Sequence, residues 1–173
     1  TSMLVEDGAV VRRISIGDDP ELLIEHLREE YETFAPDIII TSGGISHGKY
    51  EVVRNAIAMA PSLGLPIPLS WFGHVSQQPG GPQGVNVLDF NGHRLPMISF
   101  PGNPVSTLIS YVLMLRPYLR AGGPYGTPHE VASRMATLEN APRGVLVIDK
   151  SLTAPANKRQ FLRGNLAMVE SEP

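Results

Sequence analysis

The sequence predicts an α/β fold in which a three-layer αβα domain with a mostly parallel sheet is followed by a small β domain. Three observations predict it. An apolar, β-branched run at residues 37–41 (DIIIT) lies between segments with helical periodicity. Two apolar runs end in loops of glycine, proline and small polar residues that lead into helical patterns. Residues 121–128 (AGGPYGTP) then separate this core from short strand-like pieces. We place the first domain at residues 1–122 and the second, which is too short to be complete, at residues 123–173.

Helices are predicted from capping signals and from the spacing of apolar residues. Asp19-Pro20 combines a capping carboxylate with proline at the first helical position. The apolar face that follows contains Leu23, Leu27, Tyr31 and Phe34. A second helical pattern covers residues 49–59, and a strongly apolar helix covers residues 105–119. The predicted inward face of that last helix contains Leu108, Ile109, Val112 and Leu115.

Two strands are expected around the first helix. Residues 9–16 alternate between apolar and polar side chains, which predicts a strand and hence a right-handed strand–helix–strand crossover to residues 37–41. Residues 37–41 do not alternate, and such a run is expected of a central parallel strand that is buried on both faces.

The middle of the chain predicts further strands and one long loop. Residues 65–75 have the composition of a strand, whereas residues 77–84 (QQPGGPQG) should form a loop, since proline removes donors and glycine adds freedom. Asn91-Gly92 lies between two apolar runs and predicts a hairpin turn. Residues 144–148 predict a strand of the second domain.

Composition restricts the classes of function. A chain of 173 residues that is 42% hydrophobic can bury one sizeable core. A net charge of −3 gives no broad basic field, which argues against nucleic acid as a partner. The absence of cysteine excludes disulfides and thiolate zinc sites. Polar residues interrupt every apolar stretch before it reaches membrane-spanning length, so we expect a cytoplasmic protein without a membrane partner.

Two strand-to-helix junctions carry the residues that an anionic ligand requires. Glycine lets the backbone approach the ligand, N–H groups at a helix N-terminus point at it, and hydroxyl groups add oriented donors. Ligands of such sheets bind beyond the carboxyl ends of the strands. The first junction contains Thr41, Ser42, Gly43, Gly44 and Ser46, and the second contains Pro101, Gly102, Asn103, Pro104 and Ser106.

The first junction has a rival interpretation as a nucleotide-binding P-loop. Residues 43–49 match the pattern G-x-x-x-x-G-K between a strand and a helix. The next residue of a P-loop is a serine or threonine that binds magnesium, and here it is Tyr50, which argues against this interpretation. Glu51 either compensates the helix dipole, or binds magnesium, or positions an attacking group.

Three motifs, read together, resemble the MoeA family of molybdopterin molybdenumtransferases, which includes a domain of gephyrin. They are residues 41–51 (TSGGISHGKYE), 77–84 (QQPGGPQG) and 100–117 (FPGNPVSTLISYVLMLRP), with a weaker match at 158–164 (KRQFLRG). The resemblance implies an αβα domain followed by a β-barrel-like domain, in a homodimer whose active site uses both subunits. The family's N-terminal region and the end of its last domain are not recognised, so we expect the chain to be part of a longer protein.

The resemblance also implies roles for residues. The two junctions would cradle the pterin phosphate and the adenylate, while Pro79, Gly80, Gly81 and Pro82 would complete the pocket for molybdate. Adenylyl-molybdopterin and molybdate would give molybdenum cofactor and AMP, with magnesium (Mg²⁺) neutralising phosphate charge. Glu51 stands where the family usually has aspartate, and Gly81 stands where it usually has lysine. A molybdopterin adenylyltransferase is a further candidate partner.

Three alternatives remain from the sequence. The same module occurs in molybdopterin adenylyltransferases, although the second domain after residue 122 favours the molybdenumtransferase. A non-catalytic, pterin-binding scaffold would explain Gly81 in place of lysine. A P-loop protein is the third alternative.

Overall fold

The computed structural model describes residues 1–45, 51–123, 151–153 and 155–162, together with Thr127, His129, Ser133 and Gly164. Most of the second predicted domain, including the strand expected at residues 144–148, lies outside the described residues. The boundary at residue 122 therefore stays a prediction.

A four-stranded sheet with the order β1-β5-β4-β2 forms the centre of the fold. Its strands are β1 (Ile39–Ser42), β2 (Leu69–His74), β4 (Pro82–Phe90) and β5 (His93–Phe100). The expected α/β fold is confirmed, but the sheet is mixed rather than mostly parallel. Strands β1 and β5 are parallel, whereas the pairs β4–β5 and β2–β4 are antiparallel. The reason is the short connection between β4 and β5, since only antiparallel strands can be joined by a two-residue turn.

The hairpin turn is confirmed. Asn91 has a φ of 54° and Gly92 a φ of 90°, as expected of a turn whose two central residues are both left-handed. Phe90 pairs with His93 across it, and the N–H of Gly92 donates to Asp89 Oδ1 at 2.6 Å. The register of β4 and β5 is therefore fixed at this end of the sheet.

Helices cover both faces of the sheet, so three layers are present. The first face packs against α2 (Pro20–Phe34) and α3 (Val52–Met59), which the short 3₁₀ turn Ala60–Leu63 follows. The second face packs against α1 (Ser2–Glu6) and a helical run of three parts. These parts are α4 (Pro104–Ser110), a π-helical turn (Tyr111–Leu115) and α5 (Arg116–Arg120). None of the described helices has the length and continuous apolar character that crossing a bilayer requires.

Helix α2 begins where its capping signal predicts. Asp19 Oδ1 accepts hydrogen bonds from the N–H groups of Glu21 at 3.0 Å and Leu22 at 3.2 Å, and Pro20 is the first helical residue. Leu23 and Leu27 are buried against the sheet, as predicted.

The predicted strand at residues 9–16 is wrong, and with it the predicted crossover. This segment has no regular secondary structure. Arg12 explains its course, because its guanidinium donates to Glu30 Oε2 at 3.1 Å and lies 4.7 Å from the centre of the Phe34 ring. The segment therefore runs along α2 rather than beside a strand.

Strand β1 lies at an edge of the described sheet, not at its centre as predicted. Ile39 packs against the core of the first face, while Ile38 and Ile40 pack against that of the second. An unbroken apolar run reports that both faces are covered by helices. It does not indicate whether other strands pair with both edges of this strand, so a central position in the sheet could not be inferred from it.

The long loop predicted at residues 77–84 is shorter in the structure. Strand β3 (Gln77–Gln78) pairs in parallel with β6 (Arg159–Gln160), and β4 already begins at Pro82. Proline is compatible with the first position of a strand, where its missing donor costs least. Only residues 79–81 remain a loop, which follows a cis peptide bond between Gln78 and Pro79.

The inward face of the helical run differs from the prediction in its first half. Leu115 is buried and Val112 packs against the core of the second face, as predicted. Leu108, in contrast, is 43% exposed, and Ser106 and Ser110 are buried. Ser106 and Ser110 lie four residues apart on one face of α4, and Ser110 Oγ accepts a hydrogen bond from Gln83 Nε2 in β4 at 2.6 Å. Leu108 lies on the other face of this helix, so polar contacts with β4 take the place of the apolar contact that the spacing predicted.

A buried carboxylate fastens α1 to the helical run. The side chain of Asp7 is 1% exposed and accepts a hydrogen bond from the Tyr111 hydroxyl at 2.5 Å. Arg116 and Arg120 each approach the same carboxylate to 2.8 Å. The Tyr111 hydrogen bond first, and the two guanidinium groups after it, lower the pKa of Asp7 below its ordinary value of 3.8. These bonds favour the ionised form over the protonated one.

We expect Asp7→Asn to lower the melting temperature at pH 7. We also expect the melting temperature of this variant to fall less than that of the wild type as the pH is lowered. Because the folded pKa is the lower one, the stabilisation by Asp7 is complete above about pH 4 and is lost as the pH falls through the folded pKa. Thermal unfolding from pH 7 to pH 2 measures this. The exposed control Asp18→Asn should follow the wild type, and parallel profiles for Asp7→Asn and the wild type would contradict the assignment.

Candidate functional site

The parallel pairing of β1 and β5 brings the two predicted junctions side by side. Ser42 pairs with Phe100 at the carboxyl ends of the strands, and the N–H of Gly43 donates to the Phe100 carbonyl at 2.9 Å. The loops then touch, since a Cβ atom added at Gly102 would lie 3.2 Å from the Cα of Gly43. One loop leads to α3 on the first face and the other to α4 on the second. Adjacent strands whose connections diverge in this way leave a crevice between them.

The first loop depends on glycine. Gly43 and Gly44 have φ angles of 96° and 69°, in the region that side chains disfavour. A Cβ atom at Gly44 would lie 2.9 Å from Val52 Cγ1 and 3.1 Å from the backbone nitrogen of Val53. Glycine thus lets the loop fold directly onto the first turn of α3. Ser46, together with the end of the P-loop-like pattern and Tyr50, lies outside the described residues.

The second loop is shaped by hydrogen bonds at the start of α4. Asn103 Oδ1 accepts from the N–H groups of Val105 at 3.0 Å and Ser106 at 3.1 Å, so this side chain serves as the helix cap. Thr107 Oγ1 lies 2.5 Å from the Pro101 carbonyl and 3.1 Å from Ser42 Oγ. Thr107, which sequence reasoning missed, therefore joins the two loops. A threonine in the first turn of a helix carries no signal that would have identified it.

A pocket of about 220 Å³ opens between the loops. Its lining comes from all three predicted segments and consists of Gly43, Gly44, Ile45, Glu51, Pro82, Pro101 and Gly102. Glu51 is only 8% exposed and occupies the N-cap position of α3. The structure thus places one carboxylate among backbone groups that glycine leaves accessible. This combination suits an anionic ligand that carries a cation, because a metal can bridge a carboxylate and ligand oxygens.

The other predicted site residues lie around this pocket rather than in its wall. Thr41 and Ser106 are directed into the fold, and Thr41 Oγ1 is buried with no hydrogen-bond partner in the part of the chain that the structure describes. Ser42 and Asn103 shape the loops through the bonds given above. Pro104 is the first residue of α4, and Pro79, Gly80 and Gly81 form the turn that precedes the lining residue Pro82.

A larger cleft of about 300 Å³ lies at the opposite end of the sheet, near the hairpin turn. The rings of Tyr31 and Phe90 stack there with centroids 4.2 Å apart. Two of its charged groups already stabilise the fold, since Arg28 donates to the Leu63 carbonyl at 2.6 Å and Asp89 accepts from Gly92 at 2.6 Å. We therefore assign the candidate site to the smaller pocket, where glycine loops and a buried carboxylate meet.

We expect Gly44→Ala to destabilise the fold more than Gly8→Ala. Both glycines have a positive φ, but space around Gly8 is open whereas Gly44 contacts α3. The conformational cost alone should be roughly 1 kcal/mol at Gly8. Overpacking should add about 1–3 kcal/mol at Gly44. Urea unfolding of the two variants measures the difference, and equal losses would contradict the contact between the first loop and α3.

Comparison with known proteins identifies relatives of this chain. Residues 1–121 match the family model described as "Probable molybdopterin binding domain". The chain is 38% identical to "Molybdopterin molybdenumtransferase 2" of Mycobacterium tuberculosis (strain ATCC 25618 / H37Rv) over 159 residues, which are 92% of this chain and 35% of that protein.

Two more distant relatives show the same similarity. Gephyrin of Dictyostelium discoideum is 32% identical over 102 residues, 52% of this chain and 13% of that protein. "Molybdopterin molybdenumtransferase" of Nostoc sp. is 31% identical over 109 residues, 62% of this chain and 23% of that protein. The chain thus spans about a third or less of the length of these relatives. The resemblance inferred from the three motifs is confirmed, and this chain belongs to the molybdopterin-binding domain family.

Proposed function

We propose that this chain supplies the pterin-binding part of a molybdopterin molybdenumtransferase. The reaction takes adenylyl-molybdopterin and molybdate to molybdenum cofactor and AMP. A water molecule cleaves the phosphoanhydride bond, so that one phosphate stays on the pterin and the other leaves as AMP. One observation carries the proposal. Residues from three separate segments, each matching a family motif, line a single pocket that contains one buried carboxylate, Glu51.

The two glycine loops are suited to the phosphates of such a substrate. Gly43, Gly44 and Gly102 present backbone without side chains, so a phosphate can approach the loop backbone closely, although the Gly43 N–H itself is bonded to the Phe100 carbonyl. The divergence of α3 and α4 leaves room for a ligand that extends over both faces of the sheet end. We propose that the pterin phosphate and the adenylate bind along these two loops.

Magnesium is the metal that this proposal requires, and the pocket fits it. Magnesium is usually bound by one or two carboxylates together with substrate phosphates and water. No group of three or more acidic or histidine side chains that could hold a metal exists within the described ranges, and Glu51 is the acidic residue in the pocket wall. Glu51 would therefore hold the ion jointly with the substrate. When bound, magnesium would neutralise the charge that develops on the phosphates.

A non-catalytic, pterin-binding scaffold is the second candidate, and Gly81 is the feature that suggests it. The backbone of Gly81 is not left-handed, and a Cβ atom there would lie 3.4 Å from His74 Cδ2, an ordinary contact distance. Packing therefore does not require glycine at this position. A Cβ atom could be accommodated, so the absence of lysine is not imposed by the conformation or the contacts of the backbone at this position.

We expect the intact protein to bind molybdopterin and its adenylylated form more tightly than it binds ATP with magnesium. The motifs and the pocket suit a pterin phosphate, whereas Tyr50 replaces the hydroxyl residue of a P-loop. Calorimetric titration measures the three affinities. Binding of ATP alone would contradict the pterin assignment. Release of AMP on addition of molybdate separates the enzyme from the scaffold, because a scaffold would bind the adenylylated pterin without releasing AMP.

We expect Glu51→Gln to lower the rate of AMP release by on the order of a hundredfold, since it removes the charge beside the phosphates. Binding of the adenylylated pterin should change much less. Glu51→Asp keeps the charge and should retain more activity than Glu51→Gln. The exposed control Glu25→Gln should match the wild type, and equal rates for Glu51→Gln and the wild type would remove Glu51 from the mechanism.

A further inference from the structure

The turn at residues 79–81 is packed tightly against the helical run of the second face. Gly80 has a φ of 96° and is buried. A Cβ atom there would lie 2.6 Å from Gln77 Nε2, 3.1 Å from Ser110 Oγ and 3.3 Å from the Ser106 carbonyl. A side chain at this position would be strained by the positive φ and crowded by the helical run. The turn is therefore part of the packed interior and is not a free surface loop.

A buried amide holds this turn in place. Gln83 is 4% exposed, and its Nε2 donates to the Gly80 carbonyl at 2.8 Å and to Ser110 Oγ at 2.6 Å. Ser110 is fully buried. A carboxamide nitrogen has two N–H donors in a fixed plane. Its two hydrogen bonds therefore fix the positions of the Gly80 carbonyl and the Ser110 hydroxyl relative to each other. A third bond, from the Val75 N–H to the Gly81 carbonyl at 2.8 Å, holds the other side of the turn.

These contacts link the wall of the pocket to the second glycine loop. Gln83 directly follows Pro82, which lines the pocket, and Ser110 belongs to the helix that begins at the second loop. The position of Pro82 relative to Pro101 and Gly102 is therefore set partly by the Gln83 amide. A side chain that fixes its own neighbour in a binding site acts through geometry rather than by contact with the ligand.

We infer that Gln83 is a positioning residue that sets the turn at residues 79–82 for the molybdate step, an inference that rests on the proposed function. The Gln83 amide aligns Pro82 and Gly81 with the pocket, and the two glycine loops bind the adenylylated pterin independently of it. Loss of the amide donors consequently affects the use of molybdate more than the binding of the pterin.

The test compares three variants of the intact protein. Gln83→Met keeps the length of the side chain and removes both donors. Ser110→Ala removes one acceptor and leaves the bond to the Gly80 carbonyl. Gln78→Met is the matched control, because Gln78 flanks the same turn and is exposed. We measure AMP release as a function of molybdate and of adenylylated pterin, along with the melting temperature.

The expected order of effects is Gln83→Met, then Ser110→Ala, then the control. The KM for molybdate should rise about tenfold in Gln83→Met, a change of roughly 1.4 kcal/mol, while the KM for the adenylylated pterin stays within about twofold. A molybdate KM equal to that of the wild type would overturn the inference. Equal increases of both KM values with a lower melting temperature would also overturn it, since they indicate general loosening of the fold.

A second measurement keeps the inference testable if the protein releases no AMP, an outcome that would reject the proposed enzyme but not the role of Gln83. Hydrogen exchange of the segment 77–84 reports the order of the turn directly. We expect its exchange to accelerate at least about tenfold in Gln83→Met and to remain unchanged in Gln78→Met. Unchanged exchange in Gln83→Met would overturn the positioning role, with or without turnover.

Discussion

The parallel pairing of β1 with β5 is the constraint on which the rest of the site depends. It ends the two strands at the same level, where the Gly43 N–H reaches the Phe100 carbonyl. The chain then leaves toward opposite faces of the sheet, so α3 and α4 diverge and a crevice opens between their first turns. If either strand ended elsewhere, Glu51 and Gly102 would not line the same pocket.

Features encoded locally were predicted from the sequence, whereas those that depend on distant pairing were not. The cap at Asp19, the turn at Asn91-Gly92 and both glycine loops follow from the preferences of a few adjacent residues. The direction of neighbouring strands has no such local signature. Residues 9–16 alternate as a strand should, yet the available partner for Arg12 lies on α2 and the segment forms no strand. Periodicity indicates which side chains are buried, but it does not indicate which element of the fold buries them.

The candidate site shows the same division. Glycine positions such as Gly43 and Gly44 were recognisable because their backbone conformation excludes other residues. Thr107 and Gln83 have ordinary helix and strand positions, and their roles arise only from contacts with segments far away in the chain. That Pro82 would line the same pocket as the glycine loops was implied by family resemblance, and no local pattern predicts it. Side chains that connect loops are thus the part of a site that is hardest to predict from a single sequence.

The hairpin also restricts how this chain can change in length during evolution. Turns usually accept insertions and deletions, and the tip at Asn91-Gly92 lies at the opposite end of the sheet from the pocket. The strands on either side of the tip should not tolerate such changes, because β4 and β5 extend from the tip to Pro82 and to Phe100, beside the pocket. One residue inserted in either strand would exchange inward and outward side chains from that point onward. Gaps in an alignment of relatives should therefore be rare in these two strands and should be found at the tip.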